Sequence, residues 1–443
     1  MSLFQRTSIS VACLFFAAAQ TTEAQDKRRE DCYHCEPGWN YVWTLSEILA
    51  TNLVLVGFHR FLGREGDYGV STGTSKPLGW DTSSFKTNQF GHPYHGGLYH
   101  SSARSHGFSY FAAVPFSLFG SYVWEMHMAP YEVSINDLVA TTVGGAAVGE
   151  ATYRLSTSVL RSNRFGGGIV NGVIAFVLNP IVGFHELFGA PSPIVSREPT
   201  GFDGWLSMGG RVTSTPTGSM ATTVFELGFE YGNQFAAKGL KPFDSFELTG
   251  RFNLPAASPI ADFHVVGVLT GGPAASRNGR PNHVLGLFQH LDYYHPEGTQ
   301  YGGQSVGGGL RSRWNLGENL ELRAGADLNW MLLGAISSEF VDLGTQRDYD
   351  HGTGAGVRLR FAVRTTSIDL ATLAYSGNYM RTLNGPSRDH FFHFFDANVQ
   401  VPLFRRLAAR FAYQWYLRKS SFLEYPNVRR SESELRALVS VRY

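Results

Sequence analysis

The stretch Leu407-Ala408-Ala409-Arg410-Phe411-Ala412-Tyr413-Gln414-Trp415-Tyr416-Leu417-Arg418, "LAARFAYQWYLR", decides the fold. In an extended chain Leu407, Ala409, Phe411, Tyr413, Trp415 and Leu417 share one face, while Arg410, Gln414 and Arg418 share the other. That period of two marks a β-strand whose faces meet different surroundings. Working outward, Phe246, Leu248, Phe252 and Leu254 alternate with Glu247, Thr249, Arg251 and Asn253. Leu320 to Trp330 and Val357 to Arg364 repeat the pattern. From Phe202 onward the chain divides into about twelve such segments separated by Gly, Pro, Asn and Asp, an even number as closed membrane barrels require. The segments at 260–269, 285–293 and 368–379 alternate less regularly.

A soluble sandwich also alternates. Here, however, Trp314, Trp330, Tyr413 and Trp415 sit on the apolar faces towards segment ends, where an interfacial girdle belongs. The polar faces, carrying Arg211, Glu226, Arg251, Asp327, Arg358 and Arg410 among others, then line a lumen. Only six of the 37 basic residues are lysine, and arginine's planar fork favours fixed ion pairs that prop the barrel. Fourteen per cent aromatics, 50 glycines and 16% charged residues fit such a sheet better than a soluble enzyme. The final alternation Leu435, Ala437, Val439, Val441, Tyr443 resembles the carboxy-terminal signal by which bacterial outer-membrane barrels are recognised by the barrel-assembly machinery.

The amino terminus predicts export. Arg6, the apolar run Ile9 to Ala19 and the small residues Thr22 and Ala24 form a signal peptide over 1–24. Cys13 lies inside the apolar run, which argues against a lipid-modified cysteine. Cys32 and Cys35, in a segment spanning 25–43, are disulfide candidates in an oxidising compartment. Glu36 stands where a haem-attachment motif needs histidine, and a zinc site lacks two ligands there. With 37 basic against 36 acidic residues, the chain carries no electrostatic footprint for nucleic acid.

Residues 44–200 read as helical. Thr44-Leu45-Ser46-Glu47 is a capping box that predicts a helix start. Apolar stretches follow at Phe108 to Trp124, at Asp137 to Leu160 after the cap candidate Ser134, and at Ile169 to Phe188, interrupted by Asn171, Asn179 and Pro180. Asp137, Thr141, Gly145 and Gly149 form a small-residue stripe on which another backbone can pack. None of these stretches is a clean apolar run of about 18 residues, so they read as a helical plug or periplasmic cap rather than an inner-membrane domain. The glycine-rich Arg164 to Gly168 lacks the Lys-Ser/Thr of a phosphate loop and reads as a connection.

The pattern Trp80-Asp81, Phe85, Asn88-Gln89, His92-Pro93-Tyr94, Ala103-Arg104, Gly120-Ser121, Trp124-Glu125, Asn136-Asp137-Leu138 and Gly144-Gly145-x-x-x-Gly149-Glu150-x-x-x-Arg154-Leu155-Ser156 resembles an uncharacterised family of bacterial envelope proteins, a domain of unknown function. The resemblance implies an outer-membrane setting and supplies no reaction.

Its residues His92, Tyr94, Arg104, Glu125, Asn136, Asp137, Glu150 and Arg154 form the candidate polar constellation. The favoured reading is a buried network in which Arg104 or Arg154 meets Glu125, Asp137 or Glu150, with Asn88, Gln89 and Asn136 satisfying leftover groups. A metal site in which a loop gathers His92, His95, His100 and His106 with Glu125 or Asp137 is the weaker alternative. Pro93 argues against a helix there, and no metal or cofactor is assigned. A lipid-hydrolase site could use His290, Asp292 and Ser305, or Ser387, Asp389 and His390; no catalytic residue is assigned.

The sequence thus predicts a mainly β protein with an N-terminal α region: an antiparallel transmembrane β-barrel over 201–443, in the outer membrane of a Gram-negative cell and in contact with its lipid. Its expected role is structural or transport-related, with the helices gating or filling the lumen. The alternative is a hydrolase acting on lipid or cell-wall substrates.

Overall fold

The computed structural model describes residues 37–443, apart from 63–67, 72, 74–75, 131, 163–166, 194–201, 216–217, 236–238, 255–258, 278–279, 296–298, 342–345 and 366–367, and apart from the side chains of 275–281. The signal-peptide segment, Cys32, Cys35 and Arg164 lie outside the described residues. The chain forms two compact units, one of residues 1–81 with 91–199, the other of 82–90 with 200–443.

The first unit is helical. Helix α1 (Trp39–Gly57) runs into a wide turn at Phe58–Leu62. It starts five residues ahead of the expected capping box, and the Thr44 hydroxyl bonds back to the Asn40 carbonyl inside the helix (2.7 Å) instead of capping it. The earlier start makes Trp39–Phe61 a 23-residue stretch long and apolar enough to cross a membrane, and only 22% of its apolar window is buried. Helix α2 (His92–Ser105) contains Pro93, which corrects the expectation that proline excludes a helix here. Pro93 is the second residue of α2 and directly follows a wide helical turn at Thr87–Gly91, where the regular bonding pattern is already interrupted.

Helices α3 (Tyr110–His127), α4 (Ile135–Val139) and α5 (Gly145–Leu160) follow, with a wide turn at Ala140–Gly144 between the last two. Ser109 caps α3 and Ser134 caps α4, accepting from Asp137 N at 3.2 Å. Helices α6 (Gly168–Leu178) and α7 (Pro180–Leu187) are separated at Asn179, whose side chain caps α7 by accepting from Val182 N at 3.2 Å. The two-residue strands β1 (Leu78–Gly79) and β2 (Val133–Ser134) pair in parallel.

The small-residue stripe packs on the glycines of α2. A Cβ on Gly96 or Gly145 would strike the backbone of the opposite helix, and one on Gly149 would lie 2.7 Å from the Gly97 carbonyl oxygen. The two helices therefore touch backbone to backbone. That contact sets how closely the polar groups of α2 approach those of α4 and α5.

The second unit is a closed barrel of twelve antiparallel strands: β3 (Phe202–Thr215), β4 (Gly218–Tyr231), β5 (Phe246–Leu254), β6 (Ile260–Arg277), β7 (Arg280–Tyr294), β8 (Tyr301–Asn315), β9 (Leu320–Ser337), β10 (Tyr349–Thr365), β11 (Asp369–Asn384), β12 (Ser387–Phe404), β13 (Leu407–Phe422) and β14 (Val428–Arg442). Sequential strands pair, and β14 closes on β3 with Arg436 opposite Arg211. The irregular alternation in β6 has a local cause: register shifts at Val268/Thr270 and Pro273/Ala275 insert extra residues, and each flips the faces.

The outward residues are exposed along the wall, Leu328 at 67% and Leu435 at 61%, as a lipid-facing surface requires. One outward patch is covered. Segment 82–90 lays Phe85 against Tyr293 and Tyr349 (ring centroids 5.8 and 5.5 Å) and Phe90 against Phe263 (5.7 Å). Asn88 donates to the Tyr349 hydroxyl at 2.7 Å, and Gln89 lies over Gly302. Asn88 and Gln89 thus serve the barrel wall, not the helical network in which they were expected.

Candidate functional site

The barrel lumen is layered, and the inward residues of β12 step through it: Asp396, then Phe394 and Phe392, then His390. Around Asp396 lies an ionic layer. Arg436 binds Glu226 (2.7 Å) and Asp396 (2.9 Å), Arg410 binds Glu226 (2.8 Å), and Arg251 binds Glu434 (2.5 Å) and Asp262. Towards the end where β3 enters and β14 leaves, Arg364 pairs with Glu230 (2.6 Å), Arg360 with Glu247, and a cavity of about 810 Å³ opens between these walls. On the other side of the ionic layer, Tyr294, Tyr301, Met331, Ile336, Met380, Phe392 and Tyr416 are each at most 4% exposed and pack together with Phe394. These side chains form an apolar layer within the lumen.

Neither hydrolase arrangement forms. Asp292 is held by Arg358 and accepts from His264 (3.0 Å), while His290 reaches no hydroxyl and stands 3.9 Å from Asp327. His390 Nε2 faces both Ser387 Oγ (2.7 Å) and Asp350 Oδ2 (3.0 Å), and its Nδ1 faces Ser420 (2.8 Å). Ser387 and Asp350 share Nε2, so the expected set of Ser387, Asp389 and His390 does not form a serine relay; it is Ser420 that stands on the ring nitrogen opposite Asp350, with all three of Ser420, His390 and Asp350 buried. Asp389 points elsewhere and accepts from Ser421.

In the helical unit the eight-residue constellation splits into two clusters at opposite ends of α2. At the first, Glu150 receives Arg104 Nε (2.7 Å), Arg154 Nε (2.8 Å) and His100 Nε2 (3.3 Å), and all four residues are buried. Burial alone would raise the Glu150 carboxyl, but Arg104 and Arg154 hold it well below the ordinary carboxylate range. Both expected arginines thus meet one carboxylate.

At the second, pairing of β1 with β2 brings the chain at Asp81 beside α4, where Asp81 N donates to Asn136 Oδ1 (3.2 Å). His92 Nε2 lies 3.4 Å from Asp137 Oδ1, and Asn136 Nδ2 donates to the same oxygen (2.8 Å). Glu125 accepts from Ser134 N (3.2 Å). Burial pushes Glu125 up to about 8 and lowers His92 to about 4; burial and the like charges of Asp81 and Glu125 raise Asp137. Ligand atoms of Asp81, His92 and Asp137 lie within 4.8 Å of one another, the spacing of a set able to hold a cation.

Tyr94 belongs to neither cluster: it is 39% exposed on the outside of α2. His95, His100 and His106, which the alternative metal reading grouped with His92, do not come together. His95 stacks edge-on near His92 (5.9 Å), His100 meets Glu150, and His106 lies 3.6 Å from Glu47, which also binds His185 (2.9 Å). Glu47, Asp81 and His185 were missed as site residues, because their partners lie up to 138 positions away. Asp81 alone carried a signal, as part of the Trp80-Asp81 pair.

The lumen and wall define an outer-membrane-type β-barrel joined in sequence to a helical region. Residues 77–181, which hold both buried clusters, match a domain of unknown function (DUF3943). A search of curated proteins returns no match to the chain. Solved structures with a similar fold include the NanC porin, at 12% identity over 53% of this chain and 98% of that one (TM-score 0.29). They also include the COG4313 outer membrane channel from Pseudomonas putida F1, at 11% over 55% and 95% (0.30). The translocator domain of the autotransporter NalP from Neisseria meningitidis is another, at 11% over 56% and 91% (0.24).

Proposed function

We propose that the protein is a sealed outer-membrane scaffold of a Gram-negative envelope, its wall in lipid and its lumen closed at rest. The aromatic and methionine layer around Tyr301 and Phe392 carries this reading, because its members are each at most 4% exposed and an apolar layer of that kind opposes a continuous water path. The ionic layer beside it favours structure as well. Its arginines are committed to carboxylates, so they brace the wall rather than wait for a solute. Outer-membrane lipid is the partner that the exposed apolar wall calls for.

A gated path is the second reading, favoured by the charged cavity at the β3 end, and it requires the aromatic layer to move. Planar-bilayer recording separates the two. The wild-type chain is expected to give no steady conductance, and a Tyr301→Ala, Phe392→Ala, Phe394→Ala variant to give a persistent one. Steady conductance from the wild type would overturn the sealed reading. Heat-modifiable gel migration and recovery with the outer membrane test the setting.

A further inference from the structure

We propose that Asp81, His92 and Asp137 form a binding site for one divalent transition-metal ion, of the zinc class, in the helical unit. Three observations converge on it. The first is spacing. Two ligands about 2.1 Å from a tetrahedral ion stand about 3.4 Å apart, and His92 Nε2 and Asp137 Oδ1 are separated by 3.4 Å. Asp81 offers the third donor within 4.8 Å.

The second is orientation. His92 Nδ1 faces Thr141 Oγ1 at 3.2 Å, which leaves Nε2 directed at the carboxylates. Metal-bound histidines are held in this way through the second ring nitrogen. Asn136 steadies Asp137 at Oδ1 and is itself fixed by Ser134 Oγ at 2.9 Å, so both buried ligands have an outer layer of support.

The third is charge. The carboxylates of Asp81 and Glu125 act on Asp137 with like sign, and the nearby Lys76 ammonium is spent on the backbone carbonyls of Glu125 (2.8 Å) and Ala129 (2.5 Å). A divalent ion between the ligands would take the place of the proton in the side-chain hydrogen bond between Asp81 and Asp137. Asp81 is the less buried of the three and marks the side from which an ion enters. Three protein ligands leave a coordination position open to water or an anionic group, as in zinc sites that do chemistry.

The test uses the full-length chain in detergent, stripped with a chelator and titrated with Zn²⁺ alone, then with Co²⁺ alone to read its visible absorption. One ion per chain and an intense tetrahedral Co²⁺ band are expected. Asp81→Asn, at the partly exposed ligand, is expected to lower affinity about 100-fold or more, and Asn136→Ala about 10-fold to 100-fold. Glu47→Gln, in the separate Glu47, His106, His185 cluster, is expected to leave the titration unchanged. Retained helical signal and heat-modifiable migration show that each variant is folded. A folded wild type that binds no ion overturns the proposal, as does Asp81→Asn binding like wild type. Loss of the ion through Glu47→Gln alone would place it in the other cluster and overturn it equally.

Discussion

The barrel lumen and the helical unit both bury charge, but they balance it differently. In the lumen each carboxylate of the ionic layer faces an arginine, and Glu226 meets two within 2.8 Å. Around Glu150 the helical unit repeats that arrangement, with two guanidinium groups on one carboxylate. At Asp137 it does not: two further carboxylates and a neutral histidine crowd one buried acid. Balanced clusters can be explained by folding alone. A cluster of acids and a histidine without a guanidinium is instead the donor set that a cation can use, and Asp81, His92 and Asp137 bring one together in the helices.

The largest expected effect tests the balanced cluster of the helices. Glu150→Ala strands Arg104 and Arg154 in a buried setting and is expected to cost about 3–5 kcal/mol. Denaturant unfolding followed by the helical signal measures it, while barrel migration on a gel stays unchanged. Acid gives the same answer without a mutation. Because folding depresses the Glu150 carboxyl, its stabilisation is complete above the ordinary value of 4.5 and is lost as pH falls below it towards the folded value. An acid titration of the helical signal should therefore show a loss that Glu150→Ala lacks.

A smaller effect is expected where α2 meets α5. Gly145→Val drives a side chain into the Gly96 backbone, and overpacking of this kind costs about 1–3 kcal/mol or more. Gly172→Ala, with open space around it in α6, should be neutral or slightly stabilising in the same assay. In the lumen, Arg410→Gln should cost only about 1 kcal/mol, because Glu226 keeps Arg436 at 2.7 Å. If unfolding of the barrel instead shows a loss as large as that of Glu150→Ala, the lumen pairs are not redundant and the contrast drawn above fails. Smallest of all, Tyr94→Ala on the exposed side of α2 should stay within about 0.5 kcal/mol of wild type.

Much of the barrel was legible in the sequence because a strand's two faces alternate residue by residue. Leu407 to Arg418 needs no distant partner to declare which side is apolar. Legibility failed where that local rule was interrupted. The shifts in β6 blurred its pattern, and Pro93 was read as a helix breaker although the wide turn before it already interrupts the regular bonding pattern. In the helical unit, the residues of the network were identified more readily than their pairing. Arg104, Glu150 and Arg154 lie together, whereas Tyr94 lies apart from them and Asp81, which was left out of the network, lies beside Asp137.

The sequence by itself determined the alternating wall, the segments from which twelve strands form, the small-residue stripe running into α5 and a few of the buried polar groups. Those are properties of neighbours along the chain: period, capping and volume. Only the tertiary structure decided that Tyr301, Phe392 and Tyr416, which lie on three different strands and share no local signal, pack together in the lumen. It also decided that His92 meets Asp137 beside Asp81 while Arg104 meets Glu150. That partition follows from the backbone contact of α2 with α5 and the short β1–β2 pairing, and which charge faces which depends on distances in space that spacing in sequence does not encode.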